Sequence, residues 1–429
     1  MHTVLSAQAA FSARQLTPSD LLEQCLAQID KHEENVQAWV FVERDKARRD
    51  AARLTAEQLQ GKKHGPLHGI PVGVKDIFDV EEWPTTAGAK RWAKSIARED
   101  CAVVHRLREA GCIFLGKTVT TAYASFDPPV TRNPWDVSRT PGGSSSGSAA
   151  AVACGMCLIA LASQTGGSTT RPASYCGISS LKPTFDQISL SGVVPLAPSL
   201  DHFGIFGQTL ADLSSVYGVL EPARLAAGAA PPTQTLGLLG GLFSEKLEPT
   251  MASAFAEVCQ RLRASGWNLH NVDTPPTFEE VTARQRTLMA VEANAYHRRR
   301  LAQHPLDYPE KITSLLAEGA GTTAEEYRAC LQHQTKMKGL FAEQFANQMP
   351  YLLTPATLGP APDATTTGDP LLISPWSYLG LPTVSLPFAW ASDGLPLAVQ
   401  LIGPPDREAE LLALSAALET ALAFPRRVC

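Results

Sequence analysis

Apolar residues near the start of the chain recur at every third or fourth position, at Leu22, Cys25, Leu26 and Ile29. This spacing places them on one face of a helix. Thr17 and Pro18 come shortly before, as the cap residue and first-turn proline with which helices often begin. The pattern predicts a helix in the N-terminal part of the chain.

Short apolar runs elsewhere predict buried strands. The run 70–80 is apolar, rich in β-branched residues and contains a single lysine, Lys75, so it predicts a strand that enters a loop. Further strands are predicted at 113–115, 236–242, 351–354, 383–387 and 397–402.

Helical patterns alternate with these strands, at 101–110, 249–264, most of 277–348, and 406–422. The apolar stretch 149–162 predicts a buried helix that runs into a buried strand, since it is shorter than the roughly 18 residues of a bilayer span. The alternation predicts an α/β fold. Because the last strands could rejoin a sheet begun in the first half, we expect one domain over 1–429. Its catalytic core would cover about 60–220 and 350–429, with a helical substrate-pocket insertion at about 277–348.

Charge and cysteine content narrow the classes of partner and site. A net charge of −5 and a pI near 6.1 give no strongly basic field, so we expect no nucleic-acid partner. The first 19 residues lack a charged segment followed by a long apolar core, and we expect a cytoplasmic protein without a membrane partner. Cys154 and Cys157 form a C-x-x-C pair with no second pair nearby. We interpret them as small buried residues with reduced thiols.

Two glycine- and serine-rich segments, 142–148 and 165–168, are the candidates for chemistry. A flexible linker is excluded because apolar segments that must be buried follow both. A nucleotide site is disfavoured because neither the Walker spelling nor G-x-G-x-x-G occurs. A serine nucleophile needs a positioned base, and no G-x-S-x-G motif or histidine lies in either segment.

Lys75 is the candidate base, because burial in an apolar strand lowers the pKa of an amine towards neutrality. An alternative is that Lys75 forms an ion pair with Asp76 or Asp79 at the end of the strand. The sequence pattern alone leaves both interpretations open.

At these residues the chain resembles the amidase signature family. The similar motifs are 69–76, with the spelling G-I-P-V-G-V-K-D, then 141–183 with both Gly/Ser segments, and 394–403 near the end. They occur in the family's order and spacing over most of the chain. The resemblance implies a single large domain with a central mixed β-sheet covered by helices.

The resemblance also implies a Ser-Ser-Lys triad, here Ser168 as nucleophile with Ser144 and Lys75 as the relay to the base. It implies a cis peptide bond between Gly143 and Ser144. Backbone N–H groups of Thr165, Gly166, Gly167 and Ser168 would form the oxyanion hole. Neither a metal nor an organic cofactor is expected. Ser145 and Ser146 would bond within their loop, and 374–380, with Trp376 and Tyr378, would lie near the acyl pocket.

The chain departs from the family spelling T-D-T-G-G-S-I-R in two places. Gln164 replaces the acid, and the arginine lies one position later, at Arg171. This variant resembles the malonamidase-like branch, in which an arginine at this offset holds the substrate's free carboxylate. Arg171 would then bind a substrate such as malonamate. The alternative is that Arg171 supports the loop through backbone carbonyls.

We therefore expect an amidase that cleaves a small carboxylic amide to an acid and ammonia or an amine. The alternatives are a broad arylamidase, esterase or carbamate hydrolase, and the amidase subunit of a tRNA-dependent amidotransferase. The expected partner is a small-molecule amide, and a homodimer stays open as the assembly.

Overall fold

The computed structural model describes residues 2–89, 95–226, 234–347, 351–427 and 429. In this part of the chain eleven strands form one sheet. They are β1 (Trp39–Val42), β2 (Pro71–Lys75), β3 (Ile113–Thr118), β4 (Ile159–Gln164), β5 (Ser179–Lys182), β6 (His202–Gly207), β7 (Thr235–Leu239), β8 (Asn268–Val272), β9 (Leu352–Pro355), β10 (Thr383–Trp390) and β11 (Pro396–Ile402).

Helices in the described residues pack against the sheet and against one another. They are α1 (Val4–Ser12), α2 (Pro18–Val36), α3 (Arg44–Leu59), α4 (Ala102–Glu109), α5 (Ser146–Ala153), α6 (Thr170–Cys176), α7 (Leu210–Leu220), α8 (Pro222–Ala226), α9 (Leu242–Glu245), α10 (Pro249–Ala264), α11 (Val281–Gln303), α12 (Glu310–Gly321), α13 (Ala324–Asn347), α14 (Ser374–Tyr378) and α15 (Glu408–Leu422).

The strand order is β1-β3-β2-β4-β6-β5-β10-β11-β9-β7-β8. Strand β2 runs parallel to β3 and β4, whereas β10 runs antiparallel to both β5 and β11. The sheet is therefore mixed, and strands from the end of the chain continue a sheet begun in the first half. The predicted fold class, an α/β domain with a central mixed sheet covered by helices, is confirmed.

The adjacent strands β2 and β4 set the position of the site. They are parallel, with Val72 opposite Ile159 and Gly73 opposite Ala160. Strand β2 ends at Lys75, and β4 ends at Gln164. Parallel neighbours end at the same edge of a sheet, so the lysine and the second Gly/Ser segment meet there. Every residue of both strands is buried.

Helix α5 follows the first Gly/Ser segment and packs against both strands. All eight of its residues are buried, and they are Ala, Gly, Ser and Val only. Small side chains let a helix approach its neighbours closely. A side chain at Gly147 would overlap the carbonyl oxygen of Ala38 and the backbone nitrogen of Val119. The composition of α5 thus fixes the loop before it against the sheet.

The helix predicted after Thr17 is confirmed as α2, with the Thr17 side chain accepting a hydrogen bond from the Asp20 N–H. Several boundaries were wrong. The predicted strand 70–80 is ordered as a strand only over 71–75, and the predicted strand 236–242 ends at Leu239, before α9. Strands β1, β5, β6 and β8 were not predicted.

Helices α11, α12 and α13 occupy most of 277–347, and residue 348 of the predicted insertion lies outside the described residues. The assignment of this segment to the substrate pocket stays a prediction, as do the limits of the catalytic core. No helix in the described ranges is both long enough and apolar enough to cross a membrane. Cys154 and Cys157 are free and buried, as predicted.

Candidate active site

Lys75 is fully buried, and its amine contacts three serine hydroxyls. Its Nζ lies 2.8 Å from the Oγ of Ser144, 2.9 Å from that of Ser145 and 2.8 Å from that of Ser163. Burial lowers the pKa of Lys75 to about 7, and the charge of Asp201 opposes the shift. At neutral pH the amine is therefore neutral in a large fraction of molecules.

The alternative interpretation of Lys75, an ion pair with a neighbouring acid, is wrong. Asp76 instead pairs with Lys117, 3.3 Å from its Nζ, and accepts hydrogen bonds from Thr86. Asp79 accepts a hydrogen bond from the Thr85 hydroxyl at 2.7 Å. Among the described residues no carboxylate lies within 4 Å of the Lys75 amine.

The two Gly/Ser segments lie side by side. The Gly143–Ser144 peptide bond is cis, as predicted from the resemblance. The Gly143 carbonyl accepts a hydrogen bond of 2.7 Å from the Arg171 guanidinium. A side chain at Gly142 would meet the Cα of Pro172 at 2.9 Å. Contacts of this kind hold the loop that carries Ser144 against the segment that follows Ser168.

Ser168 lies in the tight connection between β4 and α6 and is 7% exposed. The N–H groups of Thr169 and Thr170 are both bound by the Oε1 of Gln164, at 2.9 and 3.0 Å. By contrast, the N–H groups of Gly166, Gly167 and Ser168 have no hydrogen-bond acceptor in the described part of the chain. Three successive free donors in a buried loop form a suitable cradle for a negatively charged oxygen.

Two side chains bond to backbone carbonyls of this loop, and a third holds the Thr165 side chain. Gln285 donates from Nε2 to the Thr165 carbonyl at 3.1 Å, and Ser377 donates from Oγ to the Gly166 carbonyl at 3.0 Å. The Thr165 hydroxyl donates to Asp201 at 2.5 Å. Ser377 also accepts a hydrogen bond of 3.1 Å from the Nε2 of Gln164. The loop is thus anchored on side chains from α11, α14 and the approach to β6.

Asp201 is a buried carboxylate near this centre. Besides the Thr165 hydroxyl, it accepts hydrogen bonds from the N–H groups of Leu196 and Ala197, at 2.9 and 3.0 Å. Burial raises its pKa to about 6, against the effect of these hydrogen bonds. A cavity of about 280 Å³ adjoins it, lined mostly by apolar side chains together with Ser163, Thr165 and Asp201.

Arg171 is 2% exposed and has no carboxylate within 4 Å in the described residues. Its Nη2 donates to the Gly143 carbonyl, and its Nε has no hydrogen-bond partner there. A side chain at Gly167 would lie 3.5 Å from its Nη1, so the guanidinium is beside the loop of free N–H groups. Burial lowers the pKa of Arg171 to about 10, which leaves it charged at neutral pH.

One sequence prediction around the site needs correction, and another stays a prediction. Ser145 was expected to bond within its own loop, but it contacts the Lys75 amine directly. Trp376 packs in an aromatic cluster with Phe243, Phe278 and Phe341. Tyr378 donates its hydroxyl hydrogen to the Cys330 carbonyl on α13. These two aromatic residues therefore contribute to the packing around α14. The expectation that 374–380 lies near the acyl pocket stays a prediction, and Ser377 of this segment does contact the loop before Ser168.

The contacts of Ser163, Asp201 and Gln285 were not predicted from the sequence. Ser377 lies in the segment 374–380 expected near the acyl pocket, but its bond to the Gly166 carbonyl was not predicted. The contact of Ser163 with Lys75 follows from strand pairing, because Ser163 lies in β4 close to the level of Lys75 in the parallel neighbour β2. No group of three metal-ligating side chains occurs within the described ranges. The Lys75 amine contacts serine hydroxyls, and the loop before Ser168 is held by Gln285, Ser377 and Asp201.

Comparison with known proteins places the chain in a family. A family model described as Amidase matches residues 20–412. An amidase of Pseudomonas putida is 33% identical, with 99% of this chain and 97% of the relative covered. One subunit of the glutamyl-tRNA(Gln) amidotransferase of Chloroflexus aurantiacus is 31% identical, over 97% of this chain and 96% of the relative. The peptide amidase structure from Stenotrophomonas maltophilia matches with a TM-score of 0.86 at 26% identity, over 99% of this chain and 97% of that one. The chain belongs to the amidase signature family, whose enzymes hydrolyse the C–N bonds of amides.

Proposed function

We propose that this enzyme cleaves a small carboxylic amide through an acyl-enzyme on Ser168, with Lys75 acting as the base through Ser144. The observation that carries the proposal is the Lys75 amine, which is buried, has no acid partner among the described residues and lies 2.8 Å from the Ser144 hydroxyl. A neutral amine has a lone pair that can accept the proton of that hydroxyl.

In the proposed acylation step, the Ser168 oxygen attacks the amide carbonyl carbon while its proton passes to Ser144 and the Ser144 proton passes to Lys75. The N–H groups of Thr165, Gly166, Gly167 and Ser168 stabilise the negative oxygen of the tetrahedral intermediate. The relay then returns the proton to the nitrogen of the leaving amine, and the C–N bond breaks. Water hydrolyses the ester on Ser168 by the same route and releases the acid.

The proposed substrate carries a free carboxylate near the scissile amide, as malonamate does. Arg171 supports this choice, because it has no acid partner within 4 Å in the described part of the chain, and a buried guanidinium in that state is costly unless a ligand pairs with it. Its Nε lacks a hydrogen-bond partner among the residues described, and its Nη1 lies beside Gly167, so a carboxylate could contact it close to Ser168. The bond to Gly143 supports the structural alternative, and the two roles are compatible.

A second candidate is the amidase subunit of a tRNA-dependent amidotransferase, which the similarity to the Chloroflexus aurantiacus protein favours. Such a subunit passes its ammonia to a partner, whereas an independent amidase releases it. Gln164 and the shifted Arg171 depart from the usual spelling of that subunit. Purification from the native cell distinguishes the two, because the transferase subunit would stay bound to its partner subunits.

The test is ammonia or amine release from malonamate, propionamide, an anilide and a small carbamate. Ser168→Ala should abolish turnover of all of them. If the carboxylate is bound by Arg171, Arg171→Gln lowers kcat/KM for malonamate at least tenfold more than for propionamide, since the lost contact is charge-assisted. If the enzyme prefers the anilide or the carbamate, and Arg171→Gln has no selective effect, the proposal of a small acid-amide hydrolase is wrong. The enzyme is then a broad amidase or a carbamate hydrolase.

A further inference from the structure

The carbonyl groups of Thr165 and Gly166, shortly before the nucleophile, are held by side chains from outside the motif. Gln285, on α11, donates to the Thr165 carbonyl, and Ser377, on α14, donates to the Gly166 carbonyl. Gln285 is 4% exposed and Ser377 is 1% exposed, so both donor side chains are buried. A hydrogen bond in such surroundings holds its partner firmly in one orientation.

A trans peptide unit is planar, and its C=O and N–H groups point in opposite directions. The Thr165 carbonyl shares a peptide unit with the Gly166 N–H, and the Gly166 carbonyl shares one with the Gly167 N–H. Holding each carbonyl therefore fixes the direction of the N–H that follows it. Glycine has few steric limits on its backbone, so at Gly166 and Gly167 external contacts must supply that restraint.

We infer that Gln285 and Ser377 are positioning residues that aim the Gly166 and Gly167 N–H groups at the developing oxyanion. This inference rests on the proposed function. It accounts for the pattern in the described ranges, where these N–H groups have no acceptor although the carbonyls of the same peptide units are bonded. It also gives α11 a part in catalysis, although α11 contributes no residue to the predicted triad.

Helix α11 is itself fixed to the rest of the site. Glu292, two turns after Gln285, accepts hydrogen bonds from the backbone N–H and the hydroxyl of Ser199, at 2.9 and 2.5 Å. Ser199 lies two residues before Asp201, which holds the Thr165 hydroxyl. One helix thus contacts the oxyanion loop and the segment that supports it, so a shift of α11 would move both.

The test compares Gln285→Met with a matched control, Gln344→Met. Gln344 is also a buried glutamine on a helix and also donates from Nε2 to a backbone carbonyl, that of Asp273, at 3.3 Å. The substrates are malonamate or propionamide, whichever the wild type hydrolyses faster, and the corresponding thioamide. Sulfur is a weaker hydrogen-bond acceptor than oxygen, so a thioamide gains less from the oxyanion N–H groups.

We expect Gln285→Met to lower kcat/KM for the amide about 10- to 100-fold, less than or equal to the loss of a direct oxyanion donor. The loss of kcat/KM for the thioamide should be at least threefold smaller. The ratio of kcat/KM for the amide to kcat/KM for the thioamide should therefore fall. KM should change less than kcat, because the contact acts mainly in the transition state. Gln344→Met should leave the ratio unchanged. An equal loss for both substrates, or no loss, overturns the inference.

Ser377→Ala provides an independent test should Gln285→Met fail to fold, and it should narrow the same ratio. An unchanged ratio in Ser377→Ala overturns the role of Ser377. Failure of the proposed function is distinguishable, because it would appear as turnover by Ser168→Ala or as no amide hydrolysis by the wild type. Loss of activity in Ser168→Ala, with an unchanged ratio in the Gln285 and Ser377 variants, rejects the positioning role alone.

Discussion

The amine nitrogen of Lys75 lies 2.8 Å from the hydroxyl oxygen of Ser163, on the strand that leads to Ser168. With Ser144 and Ser145 this makes three hydroxyl partners. A neutral amine has two N–H donors and one lone pair, whereas the protonated form has three donors and no lone pair. Three hydroxyls can satisfy both forms, since each can donate or accept. The site therefore accommodates Lys75 before and after it takes up a proton.

The first prediction concerns the pH dependence of hydrolysis. The pKa of Lys75 is lowered to about 7, and the base must be neutral to act. As the pH falls through about 7, Lys75 becomes protonated and kcat/KM should fall about tenfold per pH unit. A profile of kcat/KM between pH 5 and 9 measures this fall, the acid limb of the profile, with substrate stability as a control. A flat profile across that range would contradict the role of Lys75.

Ser163→Ala should lower kcat/KM about tenfold, because it removes one of the three groups that hold the Lys75 amine. A hydroxyl that accepts from the ammonium form stabilises it, so its loss lowers the pKa of Lys75 further. The acid limb of the pH profile should move to lower pH. Ser148→Ala is the control, since the buried Ser148 hydroxyl bonds to the Leu161 carbonyl instead. Equal effects of the two substitutions would argue against a specific contact.

Asp201→Asn tests the electrostatic link to Lys75. The negative charge of Asp201 raises the pKa of Lys75, although burial has the larger and opposite effect. Removing that charge should therefore shift the acid limb to lower pH. The difference from the wild type should be seen above about pH 6, where Asp201 is charged in the wild type. Asp212→Asn is a suitable control, because Asp212 is a buried carboxylate in the capping box of α7 and Asp201 is the charge that acts on Lys75. A shift of the acid limb to higher pH in Asp201→Asn would contradict the electrostatic effect of Asp201 on Lys75.

The proximity of Lys75 and Ser144 could be predicted because both residues lie in local motifs whose spelling and spacing are those of the family. The partners that hold the loop could not. Gln285 is 120 positions from Thr165 in the chain, and Ser377 is 211 positions from Gly166. Both lie in segments expected near the substrate pocket, 277–348 and 374–380, but which of their side chains reach the loop depends on how α11 and α14 pack. Local pattern carries no information about that packing.

The strands of the sheet also differ in how well the local sequence pattern predicts them. The return of β10 and β11 to the first-half sheet followed from their long apolar runs, which must be buried between other elements. Strand β6 was missed because two glycines interrupt its pattern, and glycine weakens the signal of a strand. Strand β8 was missed because it is an edge strand with mostly exposed or partly exposed residues, including two asparagines.

The pair of Lys117 and Asp76, just beyond Lys75, should dominate local stability. Both side chains are fully buried, and burial lowers the pKa of Lys117 and raises that of Asp76. Lys117→Met leaves a buried carboxylate without its partner and should cost about 3–5 kcal/mol in the free energy of unfolding. The double variant Lys117→Met/Asp76→Asn should recover part of that loss. Urea unfolding of the three proteins measures it, and a double variant less stable than the single one would disagree with this account.

A matched pair of glycines tests whether close packing of α5 holds the site. In Gly147→Ala the new methyl group would overlap the backbone of Ala38 and Val119, so stability should fall by about 1–3 kcal/mol. Because α5 begins two residues after Ser144, amide hydrolysis should fall as well. Gly339 lies in α13 with no atom within 4 Å of an added Cβ, and Gly339→Ala should gain up to about 1 kcal/mol from helix propensity. Thermal unfolding and ammonia release measure both effects. If Gly147→Ala were as stable and as active as Gly339→Ala, close contact of α5 with the sheet would not be what fixes the Ser144 loop.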